Sequence, residues 1–141
     1  MDTNVLVYTR DTSEPQKQKQ AMRWMSHLWN TRAGRISFQV LQEFYVTVTE
    51  RLDPGLTPEA ARRDVRLLLS WQPILVDMRV LEGAWRLQER YHLSWWDVLI
   101  VSAAQVAECH YLLTEDLKED QELENVRVIN PFHISPEALK K

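Results

Sequence analysis

The chain has 141 residues, the length of one domain, and its 45% hydrophobic and 26% charged residues are ordinary for a globular protein that can bury a sizeable core. A net charge of −3 argues against binding of nucleic acid through a broadly basic surface, unless acids gathered in one site are neutralised by cations. A single cysteine, Cys109, excludes an internal disulfide, and no apolar run approaches the roughly 20 residues of a membrane span, so a cytoplasmic protein is expected.

The predicted elements alternate between amphipathic helices and short apolar strands. The chain opens on Asp2, Thr3 and Asn4 directly before an apolar run, and Asp2 alone is typical of a helix N-cap. Such alternation predicts an α/β fold in which a central parallel β-sheet is flanked by helices on both faces. Helices are expected over about 15–30, 40–51, 57–70, 79–91 and 94–108, and short strands over 35–38, 73–76, 111–114 and 126–129.

Four acids lie beside the edges of these elements. Asp2 and Asp116 stand at or just after strand ends, whereas Glu43 and Asp97 stand near helix starts. Because ligands of parallel α/β sheets bind beyond the carboxyl ends of the strands, all four could face one cleft. Like Asp2, the other three acids also have a purely structural explanation. Asp97 could be the capping-box partner of Ser94, Asp116 could be a turn residue, and Glu43 could occupy an exposed helix position. The nearly apolar helix after Asp97, however, predicts a half-buried carboxylate that needs a partner.

Six tryptophans are many for a chain of this length. They fall mostly in amphipathic helical patterns, which favours anchors of the core or of an interface. A nucleic-acid base could stack on one of them, but the sequence does not single one out. The six are Trp24, Trp29, Trp71, Trp85, Trp95 and Trp96.

The stretches around the four acids resemble the PIN-domain family. The resemblance covers essentially the whole chain in order, with a nuclease domain over residues 1–132 and a C-terminal tail over residues 133–141. In size the chain is most similar to the VapC-type toxin ribonucleases of type II toxin–antitoxin pairs. The matching stretches are Asp2-Thr3-Asn4-Val5-Leu6, Gln42-Glu43-Phe44, Trp96-Asp97, Leu113-Thr114-Glu115-Asp116-Leu117 and Val126-Arg127-Val128-Ile129-Asn130-Pro131-Phe132.

This resemblance implies a divalent-metal-dependent endoribonuclease that uses Mg²⁺ or Mn²⁺, is held inactive by a cognate antitoxin and is often a homodimer. By position, Asp2, Glu43, Asp97 and Asp116 match the family's catalytic and metal-binding acids, and Asp2 and Asp97 would be the principal ligands. Such ions prefer hard oxygen ligands. Because clustered carboxylates repel one another, at least one of the four is expected to have a raised pKa without metal.

Two polar residues match supporting positions of the family, and one feature departs from it. Asn4 would support the loop of the first acid, and Thr114 would assist the site. Family members carry an apolar strand before the first acid, whereas here only Met1 precedes Asp2. A truncated start or a reduced first strand is therefore expected, which would favour a catalytically weak PIN domain that serves as a binding module. A third hypothesis, besides the ribonuclease and the binding module, is a receiver-like domain that accepts a phosphoryl group.

Overall fold

The computed structural model describes residues 1–139 and shows a chain that mixes helices with a small β-sheet. A π-helical turn, Thr47–Arg51, extends the third helix, and 3₁₀ turns follow at Leu69–Trp71 and Pro136–Ala138. The helices are α1 (Thr3–Tyr8), α2 (Pro15–Thr31), α3 (Phe38–Val46), α4 (Pro58–Leu68), α5 (Met78–Arg90) and α6 (Trp95–Val106), and the strands are β1 (Tyr111–Leu113), β2 (Glu122–Leu123) and β3 (Val126–Ile129).

Short polar side chains begin the helices where the sequence predicted them. The Asp77 carboxylate accepts the Val80 N–H at 3.3 Å and starts α5. The Ser94 hydroxyl accepts the Asp97 N–H at 3.2 Å and starts α6. Such caps satisfy amide groups that have no partner inside the helix and stabilise it by about 1 kcal/mol each. The predicted helices are thus confirmed to within a few residues.

The sheet differs from the predicted one in two places. β1 pairs with β3 in parallel, while β2 pairs with β3 antiparallel, so the order is β1-β3-β2 and the sheet is mixed. β2 was not predicted because two residues are too short to show a period. The strands predicted over 35–38 and 73–76 reduce to one parallel bridge between Ser37 and Ile74. Ser37 already caps α3, so the chain turns into a helix before a strand can extend.

The first two residues join the Ser37–Ile74 bridge to β1. The backbone N–H of Asp2 donates to Leu113 O at 2.9 Å, and the amino group of Met1 donates to Arg35 O at 3.2 Å. Successive residues of a strand direct their hydrogen bonds to opposite neighbours, and Met1 and Asp2 do the same here. Asp2 therefore lies in the middle of the strand layer, beside the carboxyl end of β1.

Helices cover both faces of the β1–β3 pair. Leu112 and Val128 pack in one apolar cluster with residues of α3, α5 and α6 such as Phe44. Leu113 and Ile129 point to the opposite face, since successive strand residues alternate. There they pack in a second cluster with Val5, Ala21 and Trp24 of α1 and α2. Of the residues described, no helix is both long and apolar enough to cross a membrane.

The segment after β3 packs against α2. The buried Trp24 indole donates its N–H to the carbonyl oxygens of Pro131 at 3.0 Å and Ile134 at 3.1 Å. Pro136 in the final 3₁₀ turn is buried. Residues 133–139 of the expected tail thus lie on the domain, whereas 140–141 fall outside the described residues.

The tryptophans divide evenly between the interior and the surface. The expectation of core packing is correct for three of them, while the other three expose their indoles. Trp24 and Trp71 are buried and Trp95 packs on the core, whereas Trp29, Trp85 and Trp96 are exposed.

Candidate metal centre

Asp2 is both the cap of α1 and the centre of the polar cluster. Its Oδ1 accepts the Thr3 N–H at 2.7 Å, so the N-cap interpretation is correct. Its Oδ2 accepts the hydroxyl hydrogen of Thr114 at 2.7 Å. Thr114 directly follows β1 and is fully buried. The carboxylate is thereby fixed from two sides, by the start of a helix and by the end of a strand.

Asn4 and Thr114 bring Asp116 to Asp2. The Asn4 side-chain amide donates to Asp116 Oδ2 at 2.8 Å and to the Thr114 hydroxyl at 3.3 Å. The Thr114 hydroxyl also accepts the Asp116 backbone N–H at 3.1 Å. One hydroxyl therefore contacts both acids. Two of the four predicted acids are in this way held together by the two supporting residues that the resemblance indicated.

The side-chain carbonyl oxygen of Asn4 has no hydrogen-bond partner within residues 1–139. Its Oδ1 is buried and accepts no hydrogen bond there. An unpaired buried carbonyl oxygen costs about 1–3 kcal/mol, and proteins commonly offset this cost with an ordered water molecule or a bound ion. An amide oxygen is also the hard type of donor that Mg²⁺ and Mn²⁺ accept, either directly or through a water molecule.

Glu43 is held near this cluster by a residue that the sequence did not indicate. Glu43 lies on α3 with its side chain exposed, and the Thr3 hydroxyl donates to its Oε1 at 2.7 Å. Thr3 is the first residue of α1, directly after Asp2. Its contact with Glu43 spans 40 positions of the chain and has no local sequence signal. The adjacency of a hydroxyl to the first acid was the one available hint.

Asp97 lies in the first turn of α6 and has no hydrogen bond to the other three acids. Residues 107–110 join α6 to β1, and the two elements pack together, so the chain reverses its direction between them. Ile100 and Ala104 line a narrow cleft with Met1. Since Asp97 precedes Ile100 by three residues, it lies on the same helix face. Its half-buried carboxylate makes no hydrogen bond or ion pair in the described part of the chain.

Glu115, the residue before Asp116, forms an ion pair with Lys17. The Lys17 ammonium lies 2.9 Å from Glu115 Oε2 and 3.2 Å from the Tyr8 hydroxyl, and it also lies over the Tyr8 ring. The hydrogen bond to Glu115 is the largest cause that raises the pKa of Lys17. The negative charge of Glu115 is therefore neutralised locally by Lys17. Within residues 1–139, the neighbouring Asp116 has no such cation.

Burial is the main cause of an altered acidity at Asp2. It raises the pKa of this carboxyl above the ordinary 3.8, while the bonds from Thr114 and from the Thr3 N–H lower it in part. The negative charge of Asp116 adds a smaller increase. The expected raised pKa is thus found at one acid, but desolvation contributes more than the repulsion between carboxylates on which the expectation rested.

Without metal, wild type is expected to lose stability relative to Asp2→Asn as the pH rises. Because the folded pKa of Asp2 exceeds 3.8, the stability contributed by this group is fully present below that value and is lost as the pH rises through the raised pKa. The amide of the variant does not ionise. Thermal unfolding in EDTA between about pH 4 and 7 should show a Tm advantage of the variant that grows with pH. An advantage that stays constant over this range would contradict the prediction.

The donor set fits a hard divalent cation held by few protein ligands. All four predicted acids offer carboxylate oxygens, and two of them share the Thr114 and Asn4 contacts. Within residues 1–139, no three His, Cys, Asp or Glu side chains converge closely enough to hold a metal by themselves. Mg²⁺ is commonly bound by one or two carboxylates together with water and substrate phosphate, so two linked carboxylates suffice for such a site.

Comparison with known protein families matches most of the chain. The PIN domain family matches residues 1–126, a range that contains all four acids, Asn4 and Thr114. PIN domains are typically nucleases that depend on a divalent metal. No curated protein matches the chain.

Proposed function

We propose that this chain, which belongs to the PIN domain family, is a divalent-metal-dependent endoribonuclease that hydrolyses RNA phosphodiester bonds. The observation that carries the proposal is the linkage of Asp2 and Asp116 through Thr114 and Asn4 at the end of β1. Two carboxylates held side by side by neutral hydrogen-bond donors repel each other, and a cation relieves that repulsion. Membership of the family excludes the receiver-like alternative.

Asp2 and Asp97 are the proposed principal ligands of Mg²⁺ or Mn²⁺, with Asp116 completing the site. Such an ion supplies charge that stabilises phosphate oxygens and lowers the pKa of bound water. Thr114 and Asn4 orient the carboxylates, because the Thr114 hydroxyl donates to Asp2 and the Asn4 amide donates to Asp116 and, at 3.5 Å, to Asp2. The free carboxylate of Asp97 has no competing protein partner among residues 1–139, which suits a ligand that must reach the ion.

Glu43 is the proposed general base. Its exposed carboxylate can accept a proton from an attacking water, and the Thr3 hydroxyl holds Oε1 while Oε2 has no hydrogen-bond partner among residues 1–139. A base positioned within hydrogen-bond reach of the attacking water typically contributes 10²- to 10⁴-fold to the rate.

Thr3→Val is expected to lower kcat/KM for RNA by roughly tenfold, because a displaced base transfers the proton less well. The variant keeps the side-chain shape but cannot donate to Glu43. Thr3→Ser retains the hydroxyl and should restore most of the activity, which a purely structural effect of the valine would not predict. Cleavage kinetics of both variants check this prediction, and their Tm values are compared with that of wild type to verify folding. Equal losses in the two variants would argue against positioning of Glu43 by the hydroxyl.

We further propose that the protein is the toxin of a VapBC-type pair, a cytoplasmic homodimer inhibited by a cognate antitoxin. The size of the chain and its resemblance to VapC-type ribonucleases support this. Exposed apolar side chains near the end of α4 and the start of α5 offer surface for a protein partner. They are Leu67, Leu69, Leu75, Val76 and Met78.

A catalytically weak PIN domain that binds RNA or protein is the alternative. One observation favours it: no three acidic, His or Cys side chains within residues 1–139 are close enough to hold a metal. If the acids do not gather when metal and RNA are added, the domain would bind without cleaving.

Cleavage of RNA by the purified protein separates the two functions. Structured and single-stranded RNAs are incubated with Mg²⁺, Mn²⁺ or EDTA, and circular dichroism verifies that wild type and Asp97→Asn are folded. Metal-dependent cleavage by wild type that disappears in the variant is the expected result. A folded wild type that binds RNA but cleaves none with either metal would favour the binding module.

A further inference from the structure

Two aromatic rings and an acid fix the ammonium group of Lys17. Its Nζ lies 4.8 Å from the centroid of the Tyr8 ring and 5.3 Å from that of the Phe132 ring. The two rings meet edge to face, with their centroids 5.1 Å apart. The same Nζ donates to Glu115 Oε2 at 2.9 Å and to the Tyr8 hydroxyl at 3.2 Å. Because aromatic faces attract a cation, this long and flexible side chain is held in one place.

The loop that Lys17 contacts carries one of the predicted acids. Residues 114–121 join β1 to β2, and Glu115 directly precedes Asp116 in this loop. The Asp116 side chain is exposed, so packing against the core does not fix it. A metal ligand has to be held within about 0.5 Å of its productive position. The contacts along the loop therefore decide whether Asp116 is placed to bind a metal.

Helix α1 receives this loop at two successive turns. Asn4 donates to Asp116 Oδ2 at 2.8 Å. One turn later, Tyr8 accepts a hydrogen bond from the ammonium that also binds Glu115. Asn4 and Tyr8 are four residues apart and so lie on the same face of α1. The peptide unit between Glu115 and Asp116 is thereby anchored at both ends, and Lys17 supplies one of the two anchors.

The ion pair itself contributes little to the stability of the whole domain. The side chains are 37% exposed at Lys17 and 21% exposed at Glu115, so water reaches both and screens their attraction. Ordering two long side chains also costs conformational entropy. The effect of the pair is therefore mainly local, on the loop that contains Asp116.

We propose that Lys17 is a positioning residue for Asp116, which acts through Glu115 on the backbone of the loop. This inference rests on the proposed metal centre, where Asp116 completes the ligand set. In this role Lys17 needs no contact with the metal or with RNA. Its positive charge by itself opposes the binding of a cation, because like charges repel. Loss of Lys17 therefore weakens metal binding if the residue positions the loop, and strengthens it if only the charge matters.

The test counts bound Mn²⁺ by electron paramagnetic resonance in wild type and in a set of variants. Lys17→Met removes the ammonium at similar length, and Lys17→Arg keeps a cation that can pair with Glu115. Glu115→Ala, alone and combined with Lys17→Met, asks whether the two residues act as one unit. Lys19→Met is the charge-matched control, because Lys19 is an exposed lysine of the same helix. Hydrogen exchange in EDTA follows residues 114–121 of the metal-free protein, and Tm verifies folding.

Lys17→Met should weaken Mn²⁺ binding by about tenfold, the lower end of the effect of residues that orient metal ligands. Exchange should become faster in residues 114–121 and stay unchanged elsewhere, because the lost anchor is local. Lys17→Arg and Lys19→Met should stay near wild type. Glu115→Ala should also weaken binding, and the double variant should bind no more weakly than the weaker of the two single variants.

Unchanged or tighter Mn²⁺ binding by Lys17→Met would overturn the proposal, since tighter binding is what loss of a nearby positive charge alone predicts. Faster exchange throughout the chain together with a lower Tm would overturn it too, because Lys17 would then stabilise the fold as a whole. Additive losses in the double variant would show that Lys17 does not act through Glu115. A wild type that binds Mn²⁺ but cleaves no RNA would refute the proposed nuclease and leave the positioning role of Lys17 supported if the variants bind as expected.

Discussion

Asp2→Asn should lower metal-dependent RNA cleavage by a factor on the order of 10³ or more, the largest loss of activity expected from one substitution. Asp2 lies where α1, β1 and the loop that carries Asp116 meet, and its carboxylate is a proposed principal ligand of the metal. The variant removes one negative charge but keeps the shape and an oxygen that can accept the Thr3 N–H. Steady-state cleavage in Mg²⁺ and Mn²⁺ measures the loss.

The same variant should be at least as stable as wild type when metal is absent. Burial raises the pKa of Asp2, which means that its charged form is less favourable in the folded protein than in the unfolded chain. A loss of activity together with an unchanged or higher Tm in EDTA therefore separates a chemical role from a structural one. Asp11→Asn is the charge-matched control, because Asp11 bonds locally to Ser13 in the loop before α2. Activity of Asp2→Asn within tenfold of wild type would contradict the assignment of a principal ligand.

Trp24→Ala should have the largest effect on stability, with about 3–5 kcal/mol lost from the free energy of unfolding. The indole is 1% exposed and fills the cluster between α2 and the sheet. Its removal leaves a cavity and takes the N–H donor away from the carbonyls of Pro131 and Ile134. Domains of this size are stable by about 5–15 kcal/mol, so a large part of the total would be lost. Urea unfolding followed by circular dichroism measures the change.

One further variant divides this loss into packing and hydrogen bonding, and a second serves as a surface control. Trp24→Phe retains an aromatic ring but not the N–H, and it should cost less than the alanine variant because the cavity is smaller. Trp85→Ala removes an exposed indole and should change stability by no more than about 0.5 kcal/mol. A loss below about 1 kcal/mol for Trp24→Ala would show that the segment 131–134 is not anchored by this residue.

The helices were predictable because their signals are local. Asp77 and Ser94 each satisfy amides within three residues, and apolar residues recur at helical spacing behind them. The strands were less predictable, because a strand is stabilised by a partner that is distant in the chain. Two residues at 122–123 join β3 without any periodic pattern, whereas 35–38 looks like a strand but supplies a single bridge at Ser37.

The acids of the site were predictable as a set, but the contacts between them were not. Their order along the chain, with the residues next to them, carried the family resemblance that included Asn4 and Thr114. The bond from Thr3 to Glu43 joins residues 40 positions apart, and the Lys17–Glu115 pair joins residues 98 apart. Nothing in the local sequence encodes either contact. Desolvation as the main cause of the raised pKa of Asp2 likewise depends on the packing around it.

Binding of Mn²⁺ to the metal-free protein tests the central claim, a metal centre at Asp2, most directly. The free ion is counted by electron paramagnetic resonance as wild type, Asp2→Asn and Asp11→Asn are titrated. The account predicts saturable binding by wild type and by Asp11→Asn, and strongly weakened binding by Asp2→Asn. Equal binding by all three proteins would place the metal elsewhere and contradict the account.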